Sequence, residues 1–328
     1  MRWLLFILFI PNVYCQDIHF SQFDYNPVFQ NPGNVGDFNA DYRFHMNYRD
    51  QWRAVTVPFQ TFSISAEARK IYKDFSIGMY LFNDVVGDGS FRTIEALPSI
   101  SYEYKLFSDS SHVIRPGIQF GLNYRQFNAN AFSFDSQWNG ALFDQMLPTN
   151  EIFQTNKKAN LNLGLGLTYQ FLISERKTIT AGTGFFNLNQ PNQGFFGEEI
   201  TRNRRFNLFA RVTYPVGLDW DIIPSFQMNI QGTYREFIMG SQLKYVLTQR
   251  MGDYKALYGG VFVRGGDAGY ILFGMEYQNW WGGVSYDFNF SKLYVASKTR
   301  GGLELSLRYL IKSIKRQDIF YRVCPDYI

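Results

Sequence analysis

A strict alternation of apolar and polar residues runs through most of the chain. In NLNLGLGLTYQFL (160–172), leucine and aromatic residues occupy every second position, and Asn, Gly, Thr and Gln fill the positions between them. The segments 41–49 and 113–126 alternate in the same way, and their polar positions include arginines. Because successive side chains of a strand point to opposite faces, each segment has one apolar face and one polar face.

The length of these segments favours a membrane barrel over the alternative, a soluble β-sandwich. Strands of soluble sheets are usually about 5–6 residues long, whereas a tilted strand needs roughly 9–11 residues to cross a bilayer. The sequence therefore predicts an all-β fold, a transmembrane antiparallel β-barrel of about fourteen strands, an even number as in bacterial outer-membrane barrels. The predicted strands lie near 40–49, 57–68, 74–83, 94–107, 112–126, 160–172, 177–188, 204–215, 219–230, 233–247, 256–265, 269–278, 280–290 and 301–311.

The connectors between the predicted strands differ in length in a regular order. The connectors 84–93, 127–159 and 189–203 are long, and the connectors that separate them along the chain are short. Outer-membrane barrels have short periplasmic turns and longer outer loops. This order predicts an outer-membrane barrel whose N- and C-termini are both periplasmic, with 40–312 forming the barrel and 313–328 a C-terminal periplasmic tail.

Beyond residue 219 the alternation of connector lengths weakens. Glycine-containing stretches typical of tight turns occur there at Gln231-Gly232, 265–269 and Gly282-Gly283. Aromatic residues at the ends of the segments predict the girdles of the two membrane interfaces. These residues are Trp52, Tyr72, Trp220, Tyr254, Trp280 and Trp281.

The first residues have the pattern of a secretory signal peptide. A positive charge precedes an apolar run over 3–10, which is shorter than the roughly 20 residues that a membrane helix needs. We expect a signal peptide over 1–15. The alternative, a lipid-bearing cysteine at Cys15, is opposed by the bulky Tyr14 and the polar Asn12.

Composition narrows the function further. Aromatic residues make up 19% of the 328 positions, and the net charge of +4 is mild and scattered, which argues against nucleic acid as a partner. After the leader, Cys324 is the only cysteine, so no intrachain disulfide can form.

No catalytic set, metal site or cofactor site is predicted. The three histidines have no metal-ligating partner at suitable spacing, and no Ser or Cys is singled out with a histidine and an acid. Asp84 and Asp88 in NDVVGDG (83–89) lie in a glycine-rich loop, but the oxygen-ligand spacing of a calcium loop is missing. A plain outer turn is therefore favoured there, and the protein is not expected to be an enzyme.

Arginines on the polar strand faces are predicted to line the lumen. One interpretation is a charged pore that selects anions or peptides. The other, which we favour, is a lumen filled by interlocking ion pairs, because a barrel of this size is wide enough for a channel unless something occupies it. The predicted lumen-lining residues are Arg43, Arg49, Arg115, Arg125, Arg211 and Arg308.

The segment 16–39, directly after the leader, is neither strand nor helix by pattern. It contains two Asn-Pro pairs, and a proline lacks the N–H group that a sheet needs and holds the preceding residue extended. Its aromatic residues need a surface to pack against, so we predict a plug or collar at the periplasmic mouth or in the lumen. The alternative is a disordered lead-in. The candidate plug and partner-binding residues are Phe20, Ser21, Gln22, Asn26, Pro27, Asn31 and Pro32.

Several stretches resemble the PorP/SprF family, outer-membrane proteins of the Bacteroidetes linked to type IX secretion and gliding motility. The resemblance begins with QDIHFSQFDYNPVFQNPG (16–33) and DYRFHMNYRDQW (41–52) and continues, in family order, through most of the remaining chain. The final Asp-Tyr-Ile departs from the basic residue and Phe with which such proteins often end. The later matching stretches are NGALFDQMLPTNE (139–151), FFNLNQPNQGFF (185–196), WWGGVSYDFNFSKLYVASKTRGGLELSLRY (280–309) and Cys324-Pro325.

This resemblance implies a role that composition and periodicity do not. It implies a barrel in outer-membrane lipid that contacts type IX secretion components and helps a secreted adhesin-like cargo protein to reach or stay on the cell surface. The remaining alternative is a passive channel for small or apolar solutes, similar to the fatty-acid channels, which also carry an N-terminal hatch.

Overall fold

The computed structural model describes residues 17–53, 57–87, 89–108, 110–151, 155–195, 198–250, 252–291 and 297–313. The predicted signal peptide and most of the predicted C-terminal tail, including Cys324, lie outside the described residues. No helix among the described residues is long and apolar enough to cross a membrane.

The described strands form one antiparallel sheet that closes on itself. β1 pairs with β2 on one side and with β15 on the other. β4 and β5 both pair with β6 and are two parts of one wall strand, interrupted at Glu103, so the barrel has 14 strands. The strands are β1 (Tyr42–Gln51), β2 (Phe59–Tyr72), β3 (Phe75–Val86), β4 (Phe91–Tyr102), β5 (Tyr104–Lys105), β6 (His112–Gln126), β7 (Lys157–Ser174), β8 (Lys177–Phe186), β9 (Arg205–Val216), β10 (Trp220–Gln231), β11 (Tyr234–Arg250), β12 (Asp253–Arg264), β13 (Ala268–Tyr277), β14 (Trp280–Asn289) and β15 (Arg300–Ile311).

The prediction of a 14-stranded barrel is confirmed, and the alternation explains it. On β7, Leu163, Leu165 and Leu167 are exposed on the outer surface, whereas Asn162 and Thr168 are buried inside. An outer surface of this kind matches a hydrocarbon environment, and the polar positions turn toward the lumen. The fold places the apolar face outside and the polar face inside, which is the reverse of a soluble β-sandwich.

The connectors at the two ends of the barrel differ in length. We call the end with the long connectors the loop end, and the opposite end, where β1 begins and β15 ends, the terminus end. The longest connectors of the loop end are 52–58, 127–156, 187–204 and 290–299. The connectors of the terminus end are 73–74, 106–111, 175–176, 217–219, 251–252 and 278–279.

Three details of the predicted strand ends are wrong. The predicted long connector 84–93 is the short 87–90, because β3 continues to Val86. Gly282-Gly283 is not a turn but lies within β14, where a Cβ on Gly283 would overlap the indole ring of Trp281. Trp281 itself is 1% exposed and faces the lumen, so it does not belong to an interface girdle.

Candidate functional site: the segment inside the barrel

Residues 17–39, which we call the luminal segment, run through the barrel from one end to the other. At the loop end, Asp17 pairs with Arg202 at 2.7 Å and its main-chain N–H donates to Gln231 Oε1 at 2.8 Å. At the terminus end, the main-chain N–H of Gly36 donates to Glu67 Oε2 at 3.2 Å. The segment therefore spans the lumen rather than covering one mouth.

This path places the two ends of the described chain at opposite ends of the barrel. Asp17 lies at the loop end, whereas β15 finishes with Ile311 at the terminus end. The luminal segment therefore crosses the lumen before β1 begins. The terminal residues themselves lie outside the described residues, so the periplasmic position of both termini stays a prediction.

The carboxylate of Asp17 is held in its charged form. Burial by itself would raise the pKa of Asp17, but the guanidinium groups of Arg202 and Arg205 outweigh it and hold the pKa well below its ordinary value. The start of the luminal segment is therefore fixed to the loop end by a charged contact.

The two Asn-Pro pairs form short helical turns inside the barrel. Pro27 is the first residue of the helix α1 (Pro27–Gln30), and Pro32 is the first residue of the 3₁₀ turn Pro32–Asn34. Proline suits the first helical position because its missing N–H would have no partner there. Asn31 Oδ1 also accepts a hydrogen bond from the main-chain N–H of Gly33 at 2.8 Å. The prolines therefore keep the segment compact and out of the wall.

A buried ion cluster holds the loop-side half of the segment. Arg49 Nη1 lies 2.7 Å from Glu304 Oε2, and Arg49 Nη2 lies 2.8 Å from Asp287 Oδ2. Arg264 Nη2 lies 3.4 Å from the same Asp287 oxygen, so two guanidinium groups face two carboxylates. Ser21 joins the cluster, because its Oγ donates to Asp287 Oδ1 at 2.7 Å and its main-chain N–H donates to Glu304 Oε2 at 2.8 Å.

Gln22 attaches the segment to the same side of the barrel. Its main-chain N–H donates to Glu304 Oε1 at 3.0 Å. Its side-chain Nε2 donates to the main-chain oxygen of Glu304 at 2.9 Å and to Ser285 Oγ at 3.1 Å. Buried polar groups need such partners, since each unpaired one costs about 1–3 kcal/mol.

Aromatic residues of the segment pack into the wall at three places. Phe20 and Phe29 form a buried cluster with Val28, Val35, Tyr80, Phe82 and Leu97. Phe23 packs edge-on against Phe262, with ring centroids 6.0 Å apart. Tyr25 stacks on Trp281 with ring centroids 3.5 Å apart. These aromatic residues have no period because the three places lie on different strands of the wall.

Glycines on the inner face of the wall make room for the second Asn-Pro pair. A Cβ on Gly166 would overlap the Asn31 side chain, and a Cβ on Gly117 would overlap the main chain of Pro32. Asn31 Nδ2 donates to the main-chain oxygen of Thr183 at 2.8 Å. The small residues of the alternating strands thus form a groove that fits the segment.

All the candidate residues predicted in the segment lie inside the barrel. Phe20, Ser21, Gln22, Asn26 and Asn31 are buried. Pro27 and Pro32 are buried as well. Whether any of these seven buried residues binds a partner stays a prediction.

The predicted lumen-lining arginines are all on the inner face. Arg43 pairs with Glu67 at 2.7 Å, and Arg115 pairs with Asp37 of the segment at 2.9 Å. Arg49 belongs to the ion cluster described above. The other contacts are Arg125 to Gln193 Oε1 at 2.6 Å, Arg211 to Asp24 at 3.7 Å and Arg308 to Glu276 at 2.6 Å.

Sequence reasoning did not single out several residues of this site. The luminal segment is held by Asp287, Arg264 and Trp281. Their strands alternate only weakly in sequence, so the pattern did not indicate that these side chains point inward. Gly117 and Gly166 carried a signal, since glycine on the polar face of a long strand often marks a close backbone approach.

Below the segment, a large polar cavity opens at the terminus end. Its volume is about 980 Å³, and Tyr25, Asp37 and Phe38 of the segment form part of its lining. Basic side chains outnumber acidic ones among its lining residues. Basic residues from several strands take part, including Arg43, Arg69, Lys105, Arg115, Arg211 and Lys244. We call this cavity the vestibule.

The described residues contain no group of three or more His, Cys, Asp or Glu side chains placed to hold a metal ion. Asp84 of the glycine-rich loop is on β3, where it accepts a hydrogen bond from Thr61 Oγ1 at 2.6 Å, and Asp88 lies outside the described residues.

Comparison with known families agrees with this architecture. Residues 12–309 match the family described as type IX secretion system membrane protein PorP/SprF. The chain belongs to the PorP/SprF family. As a member of that family with an outer-membrane barrel fold, it is a membrane protein of the type IX secretion system that interacts with the secretion machinery.

Solved structures with a similar fold are outer-membrane channels. The CymD monoaromatic hydrocarbon channel is 9% identical, with a TM-score of 0.51, and the match covers 88% of this chain and 93% of CymD. The toluene transporter TodX of Pseudomonas putida is 11% identical, with a TM-score of 0.50 over 86% of this chain and 92% of TodX. At these identities the likeness concerns the fold alone. No curated protein matches the chain.

Proposed function

We propose that this PorP/SprF protein is a closed docking barrel that supports the secretion and surface display of particular type IX cargo, such as large adhesins. It acts by binding cargo and machinery, not by catalysis or by passing solutes. The observation that carries this proposal is the luminal segment, which occupies the barrel from the loop end to the terminus end.

The filled lumen is the first support. A barrel of 14 strands is wide enough for a channel or a ligand cavity if nothing occupies it. Here Ser21 and Gln22 are hydrogen-bonded to Glu304 on β15. Asn31 is hydrogen-bonded to the main chain of β8. Free passage of solutes would require this buried segment to leave.

The vestibule is the second support. We place the terminus end in the periplasm, because outer-membrane barrels have their short turns there and their long loops outside. In this orientation the vestibule faces the periplasmic parts of the secretion machinery. Tyr25, Asp37 and Phe38 form its floor, so a partner that enters it touches the luminal segment directly.

The role of the buried candidate residues follows from this arrangement. Phe20, Ser21 and Gln22 hold the segment in place, and the Asn-Pro pairs keep its shape. Partner recognition belongs instead to the basic side chains that line the vestibule. The outer surface of the barrel is in contact with outer-membrane lipid.

The docking function is tested by reversing charge in the vestibule. We expect the triple variant Lys105→Glu, Arg211→Glu and Lys244→Glu to assemble as a heat-resistant barrel but to reduce cargo on the cell surface several-fold. As a control, Lys157→Glu reverses a single charge on an exposed residue at the loop end. Surface cargo is measured by labelling whole cells.

A conductance measurement separates docking from the passive-channel alternative. In planar bilayers the unmodified protein should stay closed, whereas Pro27→Ala with Pro32→Ala should conduct, because the segment loses its two fixed turns. Pro148→Ala in the long connector 127–156 is the control. An unmodified protein that conducts steadily, together with normal cargo display by the vestibule variant, would favour the passive channel.

A further inference from the structure

A second cavity lies at the loop end of the lumen, separate from the vestibule. Its volume is about 240 Å³, slightly below the roughly 300–1,000 Å³ of typical small-molecule sites. Its lining includes the start of the luminal segment and the loop-end parts of β1 to β4 and β6. The size suits a compact ligand rather than a polymer chain.

Aromatic rings form part of the lining of this cavity. Trp52, Phe59 and Phe91 all line it, and the rings of Trp52 and Phe59 lie 4.6 Å apart at 55°. The face of an aromatic ring carries partial negative charge and attracts the weakly positive C–H groups of a ligand. A ligand with one C–H face therefore fits this part of the lining.

Two buried polar atoms in the lining have no hydrogen-bond partner among the described residues. Asn123 is 1% exposed, and its Nδ2 donates to Glu95 Oε2 at 3.0 Å while its Oδ1 is unpartnered. His19 Nε2 is unpartnered in the same way. Both residues line the cavity. Since buried polar atoms are rarely left without a partner, a ligand with hydroxyl groups would be favoured here.

The charged groups of the lining are already engaged. Arg202 pairs with Asp17 at 2.7 Å and with Glu95 at 3.1 Å. Arg125 donates to Gln193 Oε1 at 2.6 Å and lies over the Phe91 ring at 4.6 Å. An ionic ligand would have to displace these contacts, and a pure hydrocarbon would leave Asn123 Oδ1 and His19 Nε2 unpaired.

We propose that this cavity, which we call the mouth site, binds a neutral sugar unit. A single sugar ring has an apolar C–H face and an edge of hydroxyl groups, which matches a lining that holds both aromatic rings and unpaired polar atoms. The C–H face lies on Trp52, one hydroxyl donates to Asn123 Oδ1, and another hydrogen-bonds to His19 Nε2. At the end with the long loops, the mouth site faces the glycans of the cell surface.

The test uses the full protein purified in an amine-oxide detergent, which has no sugar headgroup to compete. Glucose, galactose, mannose, rhamnose and N-acetylglucosamine are titrated separately, and binding is followed by saturation-transfer NMR. At least one sugar should bind saturably. Trp52→Asn should weaken that binding about fivefold to tenfold, in keeping with roughly 1 kcal/mol for a ring contact.

The choice of variants keeps the test independent of folding. Trp52 has a φ of 59°, a conformation that asparagine tolerates better than most residues, so Trp52→Asn removes the ring with little change of backbone. Asn123→Ser is a second variant, which removes the unpaired Oδ1 atom, and it should also weaken binding. Trp138→Ala is the matched control, because Trp138 is an exposed tryptophan of a loop-end connector outside the site.

The possible results are distinct. Binding lost in Trp52→Asn and Asn123→Ser but kept in Trp138→Ala supports the mouth site. Saturable binding of none of the five sugars overturns it, and so does equal binding by all the variants. Tight binding of toluene in place of sugars would instead identify a hydrocarbon site, and preferential binding of glucuronate would identify an anion site. None of these results depends on cargo docking at the other end.

Discussion

Tyr25 and Trp281 stack face to face inside the barrel, with ring centroids 3.5 Å apart and ring planes at 11°. The Tyr25 hydroxyl donates to Gln242 Oε1 at 2.8 Å. One side chain of the luminal segment therefore connects β14 to β11. This contact allows a direct measurement of how strongly the segment is held.

A double-mutant cycle with Tyr25→Ala and Trp281→Ala should give a coupling free energy of roughly 0.5–1.5 kcal/mol. The measurement is urea unfolding from lipid vesicles. Trp280 is the matched control, because it is the next residue, faces outward and stacks on Tyr309 instead. Tyr25→Ala and Trp280→Ala should be additive, and a coupling as large as that with Trp281 would contradict the observed packing.

Filling the groove at Gly166 should loosen the luminal segment without damaging the wall. In Gly166→Ala the new methyl group overlaps the Asn31 side chain, so the amides of Ser21 and Gly33 should exchange hydrogen faster. The measurement is hydrogen exchange followed by mass spectrometry. Gly259→Ala is the control, because a Cβ there meets no atom within 4 Å. Unchanged exchange in Gly166→Ala would mean that the segment is not seated in this groove.

The lipid-facing side is tested at Leu165, which is exposed on the outer surface of β7. Leu165→Arg should lower the free energy of unfolding by about 2–4 kcal/mol if the site is near the bilayer midplane. Leu218→Arg, in a short connector at the terminus end, should cost only about 0–1 kcal/mol. Equal small effects at both positions would mean that Leu165 does not face hydrocarbon.

Sidedness is tested by labelling single cysteines in a Cys324→Ser background. Asn139→Cys, in the long connector 127–156, should react with a bulky maleimide on whole cells. Glu175→Cys, in a short connector at the terminus end, should react only after the outer membrane is opened. The reverse pattern would show that the loop end faces the periplasm.

Removing Arg49 should destabilise the barrel strongly. Arg49→Ala leaves Asp287 and Glu304 without one of their buried partners, which typically costs about 3–5 kcal/mol. The triple change Arg49→Met, Asp287→Asn and Glu304→Gln should recover much of that loss, because it removes the cluster's unpaired charges and Arg264 keeps Glu236 at 3.5 Å and Asp267 at 3.1 Å as partners. As a control, Arg53→Ala removes an exposed arginine from its pair with Asp50 and should change the free energy of unfolding far less, because solvent screens an exposed pair. Unfolding in urea measures all three variants.

The wall of the barrel could be predicted from the sequence because each strand meets two different environments. Lipid outside and polar groups inside impose a period of two that a single sequence displays, as at Leu163, Leu165 and Leu167. The turn predicted at Gly282-Gly283 was wrong for a specific reason. Glycine at this position leaves space for the inward ring of Trp281. The sequence pattern does not distinguish a glycine that forms a turn from a glycine within a strand that leaves space for a neighbouring side chain.

The path of the luminal segment could not be predicted in the same way. Its contacts join residues far apart in the chain, such as Ser21 with Glu304, and no local period reports them. The two Asn-Pro pairs correctly indicated a non-strand conformation, but they do not determine which end of the barrel Asp17 reaches. The candidate residues were therefore named from composition, whereas their partners Asp287 and Arg264 emerge only from the fold.

Glu304 has a consequence for the order of folding. It lies on β15, accepts a hydrogen bond from Arg49 on β1, and also accepts one from the main-chain N–H of Ser21. The first and last strands can pair only when the whole wall has formed. The Glu304 carboxylate at this seam also binds the luminal segment. A wall that closed early would leave that carboxylate without one of its partners and would shut out residues that precede β1 in the chain. The barrel is therefore expected to fold around its own N-terminal residues, with the seam between β1 and β15 joining last.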